Sequence, residues 1–145
     1  ARNVHQLAKV ISQVDTYFDK EAHDTQPDDV NLATALFQFG KFAKVITDNG
    51  ASSSSKDLNV GFTKKEISRL DTLVSTLSSR FEKIGSLSDA KNMRFMTISN
   101  ACHGATECMT YFQLLQKLST GSFLKRVEKV VDRLQAFLLQ IAQNL

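Results

Sequence analysis

The chain has 145 residues, 42% apolar and 23% charged, with one proline, six glycines and no tryptophan. These proportions suit an ordinary single domain and exclude collagen-like and wholly disordered chains; so few turn residues also argue against a β-sandwich or barrel. Eighteen basic against fifteen acidic side chains leave a formal +3, too mild an excess for a nucleic-acid partner to be expected.

The charge is unevenly placed. Residues 1–29 hold Arg2, Lys9 and Lys20 against six carboxylates, and the rest of the chain is mildly basic. The start at Ala1-Arg2, without an initiator methionine, reads as the mature end of a secreted protein. The best apolar run, Ala136-Phe137-Leu138-Leu139, stops at Gln140, far short of the roughly 18–20 residues a membrane span needs.

The first predicted helix carries Val4, Leu7, Val10 or Ile11, Val14, Tyr17 and Phe18 at three- and four-residue spacing. It fades near Lys20 into a polar linker ending at Pro27. A second helix starts at Asp28 or Asp29, where a carboxylate suits the exposed N–H groups, and ends at Asp48-Asn49-Gly50. Its apolar arc, from Val30 through Ala33, Leu36, Phe39, Phe42 and Ala43 to Ile46, is broad enough for a central helix. Phe37 and Phe39, two apart, cannot share a face, so one of them needs a separate partner.

Residues 49–62 include Ser52-Ser53-Ser54-Ser55 and read as a mobile loop. Thr63-Lys64-Lys65-Glu66 then matches a capping box, with Phe62 and Ile67 at the positions of a hydrophobic staple. The helix it opens carries Ile67, Leu70, Val74, Leu77, Phe81 and Ile84, with Leu73 beside them, and Gly85 stands where a C-cap belongs.

A fourth helix is expected over 89–119, its stripe Ile98, Cys102, Ala105, Met109 and Phe112 running through Gly104; a break near His103-Gly104 is the alternative. After the turn Thr120-Gly121-Ser122, a last helix carries Val127, Val130, Val131, Leu134, Phe137, Leu138 and Ile141. The reading is all-α: one domain over 1–145, an antiparallel bundle of about five amphipathic helices.

Chemistry is sparse. Cys102, His103, Glu107 and Cys108 are possible metal ligands, but zinc sites bring a second, distant pair that this chain lacks, so neither a metal nor a cofactor is expected. On an unbroken helix the two cysteines lie about 10 Å apart, beyond the roughly 7 Å a disulfide tolerates; a broken segment would let them bridge. Both outcomes stay open. No nucleophile elbow, phosphate-cradling loop or dinucleotide fingerprint occurs, and an enzyme is not expected.

Two surfaces offer themselves to a protein partner. One is acidic, with Asp15, Asp19 and Asp24; the other is the ridge Lys125, Arg126, Lys129 and Arg133 on the last helix, diluted by Glu128 and Asp132 to read more as a solvated face than as a phosphate-binding stripe. The chain therefore reads as a secreted, non-enzymatic binding protein of inhibitor, effector or cytokine-like type. Alternatives are a carrier holding a small apolar ligand among Phe39, Phe42, Met96, Met109 and Phe112, and an intracellular helical adaptor.

Overall fold

A computed structural model of the chain describes residues 9, 12, 29–50, 62, 64–84 and 95–143. They form four helices and no strand: α1 (Asp29–Gly50), α2 (Lys64–Ile84), α3 (Phe95–Leu118) and α4 (Gly121–Gln143). The all-α reading holds, with one fewer described helix than the five expected. Of the predicted N-terminal helix only Lys9 and Ser12 are described, and both are helical. The serine-rich stretch lies outside the described residues except at its ends: α1 continues to Gly50, and Phe62 is buried. The capping threonine, Thr63, also lies outside them.

The helices pack as a ring in the order α1, α3, α4, α2. α3 and α4 turn back on each other through two residues, with Gly121 at φ 69°, a backbone conformation that favours glycine. Ser119 Oγ donates to the Leu115 carbonyl at 2.7 Å and so satisfies one of the last carbonyls of α3. α1 and α2 also run in opposite directions. Asp29 at the start of α1 accepts from Arg80 near the end of α2 at 2.8 Å, while Phe62, just before α2, meets Phe39 and Phe42 further along α1.

Consecutive helices thus alternate in direction, but α1 lies beside α3 and α2 beside α4, and within each of these pairs the helices run parallel. The α1–α3 seam is the tightest. Gly40 faces Gly104, and a Cβ built on Gly40 would come within 2.7 Å of the Gly104 Cα. Two glycines at the crossing let the backbones approach more closely than helices bearing side chains can.

That approach selects the buried face of α3. The predicted stripe is turned: the residues buried are Thr97, Ala101, Gly104, Ala105, Cys108, Tyr111, Phe112 and Leu115, whereas Ile98, Cys102 and Met109 are only partly covered. Small side chains stand where the seam is narrowest, and the bulkier neighbours are displaced to its flank. Elsewhere the pattern is mostly as expected, although Val30 of α1 is exposed and Leu138 of α4 only partly covered. Ile67, Leu70, Leu73, Val74, Leu77 and Phe81 of α2 are buried, as are Val127, Val130, Val131, Leu134, Phe137 and Ile141 of α4.

α3 is continuous through His103-Gly104, so the single helix expected there is the one realised over the described residues, and the break is not. Cys102 and Cys108 are free thiols. The possible disulfide is therefore corrected: an unbroken helix holds the two too far apart to join.

Candidate binding cleft between α2 and α4

A line of polar contacts joins α2 to α4. Arg133 Nε donates to Asp71 Oδ1, and its Nη1 reaches Ser75 Oγ at 3.4 Å. Farther along, Ser78 Oγ donates to Gln140 Oε1 at 2.7 Å, and Gln140 Nε2 donates to the Ser78 carbonyl at 2.9 Å. Both Asp71–Arg133 and Ser78–Gln140 are separated by 62 positions, which is the signature of two helices running in the same direction and in register. Their N-termini consequently lie at the same end of the bundle. Each carries the equivalent of about half a positive charge.

At that end, next to the Asp71–Arg133 pair, is a cleft of about 160 Å³. Its floor is apolar, from Ile67 of α2 and Val130 of α4, both buried. Around it stand Lys64 from the first turn of α2 and Arg126 and Lys129 from α4, all three exposed. Arg126 and Lys129, three apart, share a helix face. Ser68 adds a hydroxyl, and Asp71 also lines the cleft, but its carboxylate is held by Arg133. With that pair self-neutralised, the three cations give the cleft a local charge of +3.

Of the three cations, only Lys64 stands in a first helical turn. Cations are unfavourable in a first helical turn, yet α2 opens with Lys64-Lys65 ahead of Glu66, and the first turn of α4 contains no acid.

The predicted basic ridge is therefore divided by the fold. Arg126 and Lys129 reach the cleft; Lys125 is exposed outside it, and Arg133 is taken up by Asp71. Lys64 was not among the predicted residues, because its membership depends on α2 lying parallel to α4. Asp15, Asp19 and Asp24 lie outside the described residues.

The other predicted sets are brought together only in part. Phe39, Phe42 and Phe112 are buried, but the space among them is taken by Phe62, whose ring centroid lies 5.0–6.0 Å from those of Tyr111, Phe112, Phe42 and Phe39. Met109 packs at the edge of the core, and Met96 is 64% exposed, sixteen positions and so about 24 Å along α3 from Phe112. Of the proposed apolar-ligand lining, Phe39, Phe42 and Phe112 thus gather around Phe62, while Met96 stands apart.

Cys108 is buried and His103 exposed, so the two do not converge on one point. Burial, then the charge of Glu107, pushes the Cys108 thiol up, away from the thiolate that a metal would need. Among the described residues no group of three or more His, Cys, Asp or Glu could hold a metal ion. His103 has a local role: its Nε2 lies 3.9 Å from Glu107 Oε1, and its ring centroid lies 5.4 Å from that of Phe37. Phe37 thus finds its partner outside the core while Phe39 turns inward. Phe95, at the start of α3, is 82% exposed. Among the described residues no helix is long and apolar enough to cross a membrane.

Comparison with protein-family models, with curated proteins and with solved structures finds no match for this chain.

Proposed function

We propose that the protein is a secreted, non-enzymatic binding protein that recognises an acidic surface of another protein through the α2–α4 face. The carrying observation is the gathering of Lys64, Arg126 and Lys129 around one cleft whose one lining carboxylate, Asp71, is already held by Arg133. An inhibitor, effector or cytokine-like protein works by such surface contacts. Cations around an apolar floor supply both the steering charge and the small buried centre that a protein interface uses. The carrier reading has less support, because Phe62 fills the interior position that a ligand would need.

The test is capture of a partner from extracellular fluid, its identification, and calorimetry with the purified pair. Reversing two charges, R126E/K129E, should lower affinity by about tenfold or more and flatten its dependence on salt. An affinity and salt dependence equal to those of the unaltered chain would overturn the proposal.

A further inference from the structure

Building on that reading, we infer that the α2–α4 cleft takes a single phosphate or sulfate ester group carried on a side chain of the partner protein. The inference rests on three features that meet at one place. The first is charge. Lys64, Arg126 and Lys129 border the same cleft, so one carboxylate would leave two cations unanswered, whereas a phosphate monoester brings about −1.5 to −2 and three acceptor oxygens.

The second is the donor set. Arg126 offers the planar fork that binds two oxygens of a tetrahedral oxyanion, the two lysines act as point charges, and Ser68 contributes a hydroxyl. Asp71 is the one carboxylate on the cleft wall, and Arg133 neutralises it while the polar line through Ser78 and Gln140 holds the two helices in register.

The third is size and placement. The volume of about 160 Å³ suits one small group, below the roughly 300–1,000 Å³ of pockets that enclose whole ligands. The first turn of α2, where the helix end is positive, also borders the cleft at Lys64. Lys64 in that turn is a local cost that a bound anion would relieve. A nucleic acid would instead need a track of cations along its backbone, and the ridge beyond the cleft is interrupted by Glu128 and Asp132.

The experiment is a ¹H–¹⁵N titration of the intact chain with phenyl phosphate, phenyl sulfate and benzoate at one fixed ionic strength. Saturable shifts are expected at the amides of Lys64, Ser68, Arg126 and Lys129, with at least one ester binding about fivefold or more tighter than benzoate. The stronger ester identifies the modification on the partner. K129Q should weaken the ester about fivefold or more, while K125Q, outside the cleft, should leave it unchanged.

Benzoate binding as tightly as both esters would overturn the inference, as would equal losses in K125Q and K129Q. So would a thymidine decamer whose salt dependence counts more than about three phosphates. These titrations use the isolated chain, so their failure is separate from failure of the binding reading. Partner affinity that depends on Arg126 and Lys129 without ester selectivity would leave protein recognition standing and remove only the ester.

Discussion

Gly40 of α1 and Gly104 of α3 are packed backbone against backbone. A Cβ on Gly104 would lie 2.5 Å from the Leu36 carbonyl oxygen and 2.8 Å from the Phe37 nitrogen; one on Gly40 would lie 2.7 Å from the Gly104 Cα. The obstructing atoms are main chain, so neither helix can yield by turning a side chain.

Gly104→Ala should therefore destabilise the fold despite alanine's better helix propensity, which is worth about 1 kcal/mol. The overpacking cost exceeds that gain, and a net loss of about 2 kcal/mol is expected in urea unfolding, with Gly40→Ala also losing stability. An alanine variant more stable than the parent would show that the α1–α3 seam is wider than described.

Phe62 is 1% exposed, with aromatic rings of α1 and α3 around it. Phe62→Ala should cost about 3–5 kcal/mol. Phe62→Leu should recover part of that loss, because much of it is filled volume. A loss below about 1 kcal/mol for the alanine variant would mean that residue 62 is not held in the core.

Asp71→Asn provides a test of the cleft by gain. The Arg133–Asp71 pair is partly exposed, with side-chain exposures of 37% and 23%, so the stability change should stay near or below about 1 kcal/mol. Removing the carboxylate frees a fourth cation at the cleft, and phenyl phosphate should bind about two- to fivefold tighter. Unchanged or weaker binding would count against a cleft governed by its local charge.

The two thiols should separate kinetically and by pH. Cys102 is partly exposed and should react with a thiol reagent under native conditions; Cys108 is buried and should react only after unfolding. The fold holds the Cys108 thiol and the Tyr111 hydroxyl in their neutral forms, each pushed up chiefly by burial. A raised pKa gives stability that is complete below the unfolded-state value and declines as pH climbs above it. Unfolding free energy should thus begin to fall above about pH 8.5, where an unfolded cysteine ionises. Cys108→Ala should flatten that first part of the decline, leaving the tyrosine contribution from about pH 10. An identical alkaline profile in Cys108→Ala would remove the thiol as its source.

The four described helices could be read from side-chain periodicity because α1, α2 and α4 bury most of what their apolar spacing marks, Val30 at the exposed start of α1 excepted. Leu70, Val74, Leu77 and Phe81 are one such row, and Val127, Val130, Leu134 and Phe137 another. Even the divergence of Phe37 from Phe39 follows from helix geometry alone. The buried face of α3 could not be read in this way. Hydropathy favours Ile98 and Met109, whereas the core takes Ala101 and Gly104, since a close crossing selects for small volume and not for greasiness.

Helix class, the start and stop of α1, the start of α2 and the presence of cations on the last helix were determined by the sequence itself, because each depends on residues within a few turns of one another. The neighbour of each helix and its direction were decided only in three dimensions. Lys64 and Lys129 are 65 positions apart, and no local pattern relates them. They border one cleft because shielding the α2 and α4 apolar faces from water places those helices side by side, while Asp71–Arg133 and Ser78–Gln140 align them in parallel.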